Sequence, residues 1–305
     1  MRSVGRQSVS KIAHRRIVVI SEYFKPNSFS ETLQFLGKYR GKAKLIAGGT
    51  NVISDLRDKA VEAQILIDLS RVRNLSYVRE EKQNIRIGAL TTMSELVDSP
   101  VIQKYAPVLH DAVEQIGNPL VRNRATIAGN LVDASPAADS AVPLLSLEAK
   151  VILEKNKTKP REVPMDRFFV GPNKTVLKRD ELVREIFFSK PDPSARMAYS
   201  KFGLRNAMAI SVVSMAVYLE IEKGKCARAR IGLGAVAPTP IRAYGVEKLL
   251  AGQLITEDLI ERCSQVIRDE IHPITDVRSS LEYRRSMTSV FLGRLLRQAS
   301  SRERA

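Results

Sequence analysis

The sequence is poor in the side chains that build metal clusters and in long apolar runs. Its 305 residues include two cysteines and three histidines. An iron–sulfur cluster held by this chain alone would typically need four cysteine thiolates. A membrane span would need a run of about eighteen or more apolar residues, and the sequence has none. It therefore predicts neither a cluster of its own nor a transmembrane helix.

The few cysteines and histidines are also scattered along the chain. Cys226 and Cys263 offer no disulfide framework and fit a reducing compartment. His14, His110 and His272 have no metal-binding spacing and belong to no Ser-His-Asp set. The apolar stretch after the basic N-terminus is too short for a signal core, so the sequence predicts a cytoplasmic protein.

Positive charge is in excess, with a net charge of +16 and a pI of about 10.0. Clustered lysine and arginine would indicate nucleic-acid binding, so a basic nucleic-acid-binding scaffold is one alternative function. The charge is dispersed, however, apart from basic blocks near the two ends, and no nucleic-acid-reading motif lies between them. We therefore expect solvated termini and surfaces that face partner subunits, and no nucleic acid.

Hydrophobic periodicity predicts a mixture of helices and strands. A capping pattern, Ser28 with Glu31, predicts the start of a helix that runs to Tyr39, and Thr92 with Glu95 repeats the pattern. The predicted strands are 17–20, 45–47, 65–69, 75–78, 85–87, 149–154, 182–189, 210–221 and 227–236, and the other predicted helices are 52–58, 101–116, 141–147, 242–250, 257–270 and 281–296.

The prolines of Pro191-Asp192-Pro193 indicate a linker, because proline cannot continue a sheet ladder. This linker divides the chain into two main domains. The predicted divisions are a basic N-terminal extension at 1–16, a first domain at 17–192 with subdomains at about 17–72 and 73–192, a second domain at 193–298, and a basic tail at 299–305.

Two similar glycine turns carry the most chemical information. They are Ala47-Gly48-Gly49-Thr50-Asn51 and Thr126-Ile127-Ala128-Gly129-Asn130. Glycine allows the backbone to approach a ligand closely, and successive turn amides form a concavity that favours anions. The pair therefore predicts a clamp for a diphosphate.

Three further motifs follow these turns in order: Ser135-Pro136-Ala137-Ala138-Asp139, Tyr199-Ser200-Lys201-Phe202, and the stretch from Gly232 to Pro240. With them, most of the chain resembles the flavin-binding subunit of the molybdenum hydroxylases, the group of xanthine dehydrogenase and aerobic carbon monoxide dehydrogenase. The resemblance implies an α+β fold, with a two-part FAD-binding domain of the vanillyl-alcohol-oxidase/PCMH type followed by a sheet-and-helix C-terminal domain.

The resemblance also implies which residues bind FAD. It places the first turn and its flanks around the diphosphate and ribityl chain, the second turn on the other side, an isoleucine against adenine, a carboxylate near the ribose or ribityl hydroxyls, and a lysine and a tyrosine beside the isoalloxazine. The implied residues are Leu45, Ile46, Ala47, Gly48, Gly49, Thr50, Asn51, Val52, Thr126, Ala128, Gly129, Asn130, Ile116, Asp139, Lys201 and Tyr199.

Structural roles are open for several of these residues. Thr50 could cap a helix, and Asn130 could stabilise its own turn. Asp139 could cap the helix predicted at 141–147, Ile116 could belong to the core, and Lys201 could be a surface charge on a strand.

The sequence departs from the family pattern at two positions. Ala128 stands where relatives usually have glycine, and Ala209 stands where many have aspartate. In addition, none of the histidines lies in either turn, so the resemblance to relatives with covalently attached flavin is not supported. We expect noncovalent FAD.

The function implied by the resemblance is electron transfer through FAD, with no catalytic residue of the chain's own. Electrons would come from two [2Fe-2S] clusters in a small partner subunit, after leaving substrate at the molybdenum cofactor of a large one, within a dimer of heterotrimers. Reduced FAD would pass them to NAD, dioxygen or a quinone. The alternative within the same fold is a stand-alone FAD-dependent reductase.

Overall fold

The computed structural model describes residues 20–58, 63–205 and 207–301, which form three successive units. Most of the strand predicted at 17–20, the basic extension at 1–16 and the last residues of the tail, 302–305, lie outside the described residues. Ile20 is described and is not part of a strand. No helix among the described residues is long and apolar enough to cross a membrane.

The first unit is a small parallel sheet with strand order β1-β3-β2. Ser28 caps α1 by accepting a hydrogen bond from the Glu31 amide, but the Glu31 carboxylate accepts from the amide of Asn27 instead of Ser28, so only half of the predicted capping box forms. The elements are β1 Glu22–Phe24, α1 Phe29–Lys38, β2 Ala43–Ile46, α2 Val52–Arg57 and β3 Ile65–Asp68.

The second unit is a five-stranded antiparallel sheet, ordered β4-β5-β10-β6-β7, with helices against it and a small hairpin, β8-β9, beside it. Its elements are β4 Val78–Glu80, β5 Asn84–Gly88, α3 Met93–Val97, α4 Pro100–Tyr105, α5 Pro107–Glu114, α6 Pro119–Arg122, α7 Ile127–Asp133, α8 Ala141–Ser146, β6 Lys150–Lys155, β7 Arg161–Pro164, β8 Phe169–Gly171, β9 Lys174–Thr175 and β10 Glu181–Ser189.

Two predicted elements of this unit are wrong. The single helix predicted at 101–116 is divided at Ala106, because Pro107 has no amide hydrogen and instead begins a second helix, a position that proline favours. The strand predicted at 75–78 begins as a 3-10 turn at Arg73–Leu75, and β4 starts only at Val78. The capping box of Thr92 and Glu95 is present as predicted.

The third unit is a four-stranded sheet, ordered β11-β12-β13-β14, followed by three helices. Lys223 and Gly224 form its tight hairpin, both with positive φ, as this turn type requires. The last helix continues past the predicted end at 296, because Ala299 is buried in the core. The elements are β11 Arg196–Phe202, β12 Val213–Glu222, β13 Lys225–Gly234, β14 Ile241–Arg242, α9 Tyr244–Leu250, α10 Glu257–Glu270 and α11 Leu281–Ser301.

Helix α8 of the second unit packs closely against the sheet of the third. A Cβ atom on Gly232 would lie 2.1 Å from the carbonyl oxygen of Val142, and one on Gly234 would lie 2.7 Å from the Val142 side chain. Since real Cβ atoms do not approach this closely, glycine is needed at both positions. The contact brings the residues before α8 next to strand β11.

A buried arginine joins the start of α11 to this sheet. Arg284 is 2% exposed, and its guanidinium donates to the carbonyl oxygens of Val212 and Ala235, each at 2.8 Å. It also donates to the carboxylate of Asp276 at 2.8 Å. One side chain therefore satisfies three acceptors from three segments.

Replacing Arg284 by alanine should lower the free energy of unfolding by about 3–5 kcal/mol, because a buried ion pair is broken and two carbonyl groups lose their donor. Arg285 is exposed, so Arg285→Ala should change it by less than about 0.5 kcal/mol. Guanidinium denaturation followed by circular dichroism measures both. Equal stabilities of the two variants would contradict the anchoring role of Arg284.

Candidate functional site

A cleft of about 220 Å³ lies between the first and second units and brings the two glycine turns together. The first turn connects β2 to α2, and the second forms the start of α7. Of the residues implied by the family resemblance, those that line this cleft are Leu45, Ala47, Gly48, Gly49, Thr50, Asn51, Val52, Ile116, Thr126, Ala128, Gly129 and Asn130.

Gly48 holds the two sides of the cleft in contact. A Cβ atom at this position would lie 1.8 Å from the carbonyl oxygen of Arg124, two residues before the second turn. Gly49 has a φ of +78°, a left-handed conformation that side chains other than glycine rarely adopt. The two glycines thus have different roles: Gly48 permits close approach of another backbone, and Gly49 permits the turn itself.

The first turn supplies unpaired hydrogen-bond donors. Among the described residues, none accepts a hydrogen bond from the backbone amides of Gly48, Gly49, Thr50 or Asn51. Successive free amides in a turn form a site for an anion, which a diphosphate would satisfy.

The second turn differs, because its amides are already bonded within the protein. Ile127 donates to the carbonyl oxygen of Thr91 at 2.9 Å, and Ala128 donates to that of Ala89 at 3.2 Å. The amide of Gly129 donates to the hydroxyl of Thr126, which caps α7. This turn therefore contributes a wall of the cleft instead of a second row of free donors.

The structural alternatives for three residues are now decided. Asn51, not Thr50, occupies the N-cap position of α2. The carboxamide oxygen of Asn130 accepts a hydrogen bond from the Ser140 hydroxyl at 2.6 Å, so this side chain orders its loop while lining the cleft. Ile116 packs on the core and also lines the cleft.

Ile46 does not line the cleft. Its side chain packs on the other side of the sheet against a small cluster formed by Leu56, Ala63 and Leu66. Successive residues of a strand point to opposite faces, so Leu45 and Ile46 cannot both face one ligand with their side chains. Any contact of Ile46 with a ligand in this cleft would therefore come from its backbone, and its place among the FAD-binding residues stays a prediction.

Asp139 and Lys201 form a buried ion pair away from the lining of the cleft. Their side chains are 7% and 6% exposed, and Lys201 Nζ lies 2.5 Å from Asp139 Oδ2. The Ser211 hydroxyl donates to the other carboxylate oxygen, and Lys201 also donates to the carbonyl oxygen of Gln115 at 3.2 Å. Because Ile116 follows Gln115, the pair lies directly behind one wall of the cleft.

This pair decides two of the open structural alternatives. Lys201 is not a surface charge on a strand, and Asp139 does not cap α8, whose N-cap residue is Ser140. Tyr199 is buried as well, and does not line the cleft. Burial, and then the nearby Asp139 carboxylate, hold the pKa of the Tyr199 hydroxyl well above its usual value, so the hydroxyl keeps its proton.

Two family models cover nearly all of the chain. The model described as the FAD binding domain in molybdopterin dehydrogenase matches residues 18–191, and the CO dehydrogenase flavoprotein C-terminal domain matches residues 198–299. The chain belongs to the FAD-binding subunits of the molybdopterin dehydrogenases. The family and the α+β, two-domain fold class expected from the sequence are therefore confirmed.

Individual relatives agree with this membership. The chain is 31% identical to the carbon monoxide dehydrogenase medium chain of Hydrogenophaga pseudoflava, covering 92% of this chain and 97% of that one. It is 29% identical to the nicotinate dehydrogenase FAD-subunit of Eubacterium barkeri, over 88% and 93%. A solved structure of the Hydrogenophaga pseudoflava carbon monoxide dehydrogenase superposes with a TM-score of 0.89, covering 93% of this chain and 98% of that chain.

The cleft is also lined by residues that the sequence analysis missed. Most are apolar side chains at element ends of both units, and two are carboxylates. They carry no motif, and a resemblance based on the glycine turns gives no signal for them. The missed residues are Lys44, Asp55, Leu69, Leu75, Ala89, Leu90, Val121, Ala125, Val132, Asp133, Leu177, Leu182 and Val183.

Gly48→Ala should weaken FAD binding by roughly 10- to 100-fold, because the added methyl group must push the two sides of the cleft apart. Gly37→Ala is the matched control, since a Cβ atom there meets nothing within 4 Å. Titration of the apoprotein with FAD gives both affinities. Unchanged affinity in a folded Gly48→Ala protein would contradict the role of this contact.

Lys201→Met should destabilise the protein by about 3–5 kcal/mol, because the Asp139 carboxylate is left buried without its partner. The double variant Lys201→Met/Asp139→Asn should recover part of this loss, since the unpaired charge is removed. Denaturant unfolding of the two single variants and the double variant measures the coupling. Purely additive losses would show that the two charges do not stabilise each other.

Proposed function

We propose that this chain is the FAD-binding, electron-transfer subunit of a multi-subunit molybdenum hydroxylase. The observation that carries the proposal is the row of unpaired amides from Gly48 to Asn51, placed opposite the second turn in a family that binds FAD. Bound flavin supplies both one- and two-electron transfer, and the protein supplies binding, orientation and electrostatics.

The chain's own residues would hold the cofactor noncovalently. The free amides of the first turn suit the negative charges of a diphosphate. Ile116 and the other apolar side chains of the cleft suit a flat ring and exclude water from it. In this proposal, Lys201 and Tyr199 support the isoalloxazine end of the flavin. Because the Asp139 carboxylate neutralises the Lys201 ammonium group, the flavin ring would experience the field of an ion pair and not that of a free positive charge.

The metal centres are assigned to partner chains. Within the part of the chain that the structure describes, no group of His, Cys, Asp and Glu side chains is arranged to hold a metal ion. Cys226 and Cys263 are free and buried, and burial raises the pKa of each thiol to about 11, which disfavours the thiolate that a cluster needs. We assign two [2Fe-2S] clusters to a small subunit and the molybdenum cofactor to a large one, assembled as a dimer of heterotrimers.

The proposed direction of electron flow is from the [2Fe-2S] clusters to FAD and from reduced FAD to an external acceptor. NAD, dioxygen and a quinone are the acceptor classes that flavin chemistry permits. The names of the relatives support the arrangement, since those from Hydrogenophaga pseudoflava and Eubacterium barkeri are a medium chain and an FAD-subunit. We place the complex in the cytoplasm, where the free thiols stay reduced.

The visible spectrum of the purified chain, recorded before and after acid treatment, tests the proposal. We expect a flavin spectrum from one FAD per chain, released completely by acid because no covalent bond holds it. Gly48→Ala, purified in parallel, should retain less flavin. A folded chain that takes up no FAD, either alone or with its partner subunits, would refute the function.

A further inference from the structure

Three neighbouring loops of the FAD-binding domain carry a concentration of positive charge that the flavin site does not use. They are the turn after α1, the hairpin between β6 and β7, and the segment from β9 to β10. We call this surface the lysine face, and it consists of Lys38, Lys42, Lys155, Lys157, Lys159, Lys174, Lys178 and Arg179.

The three loops are held together by specific contacts. Arg161, at the end of the hairpin, donates to the carbonyl oxygen of Val176 at 2.9 Å. Arg179 packs against Gly41, and Arg40 pairs with Asp180 at 2.9 Å. The loops therefore form one continuous surface with a defined arrangement.

The positive charge of the lysine face is not balanced. The carboxylates within it, Asp180 and Glu181, are already paired with Arg40 and Arg161. None of the residues of the lysine face forms an ion pair with another described residue. All are exposed except Lys155, which is partly exposed. Their charges therefore add, and the field extends about one Debye length, roughly 8–10 Å, into the solvent.

The chemistry of the face favours one class of partner. The centre of a protein–protein interface is apolar and depleted in lysine, whereas the loops of this face expose no large apolar side chain among their described residues. Recognition of nucleic-acid bases uses arginine forks and exposed aromatic rings, and here lysine predominates, with Tyr39 half-buried in a stack with Phe24 and Phe35. An anionic bilayer requires only a cluster of lysines that reaches its surface.

We propose that the lysine face docks the protein on the surface of a membrane rich in anionic lipids. The attachment is peripheral and electrostatic, and no part of the described chain enters the hydrocarbon. It does not depend on flavin, since no residue of the lysine face lines the FAD cleft.

Vesicle binding of the FAD-loaded complex, purified with its partner subunits, tests this proposal. The test variant is Lys157→Gln/Lys159→Gln/Lys174→Gln, and the control, Lys223→Gln/Lys225→Gln/Lys248→Gln, removes the same charge from exposed sites of the C-terminal domain. Both keep the basic termini. On phosphatidylglycerol vesicles the test variant should bind roughly 100-fold more weakly than the unsubstituted protein, since each lysine contributes about a factor of five. The control should bind almost normally.

Three results would overturn the proposal. The first is an equal loss of vesicle binding in both variants, which would make total charge the cause. The second is an unsubstituted complex that binds phosphatidylglycerol vesicles no better than phosphatidylcholine vesicles. The third is an unsubstituted complex that binds a short DNA duplex more tightly than the vesicles at the same salt concentration, with this DNA binding lost in the test variant and kept in the control. The FAD content of each preparation, read from its spectrum, separates these results from a failure of the proposed function.

Discussion

The arrangement of this protein depends on places where two backbones approach more closely than a Cβ atom allows. At Gly48 the first glycine turn meets the carbonyl group of Arg124, and at Gly232 strand β13 meets that of Val142. The first contact closes the cleft between the two glycine turns, and the second joins the FAD-binding domain to the C-terminal sheet. A methyl group at either position would separate whole units, since packed interiors leave no room to absorb it.

Polar groups are used in two different ways on the two sides of the cleft wall. In the cleft, neutral amides of the first turn are free to bind an anion, without a fixed counterion to be displaced. Behind the cleft, the charges of Asp139 and Lys201 are buried and paired with each other. A buried charge is costly without a partner, so the loss of either residue would destabilise the junction of the two domains.

Several parts of this arrangement followed from local pattern. The glycine turns, with the motifs that follow them, identified the family and about half of the residues that line the cleft, because glycine at those positions satisfies a local backbone requirement. The capping box of Thr92 and Glu95 was likewise correct. A prediction failed where a single residue changed the outcome: Pro107 divides a helix whose hydrophobic period continues.

By itself, the sequence determined the family, because its ordered motifs resemble that family, and through the resemblance it implied the α+β class. The two glycine turns indicated a cofactor with a diphosphate, because they place particular residue types at a fixed local spacing. Only the tertiary structure decided which donors remain free in each turn, that Asp139 and Lys201 meet although they are far apart in the chain, and that dispersed lysines gather on one surface. The physical reason is that hydrogen-bond partners and electrostatic fields depend on the distances between segments that are far apart in the sequence. Those distances are set by packing across glycine contacts such as Gly48 and Gly232, and no local pattern encodes them.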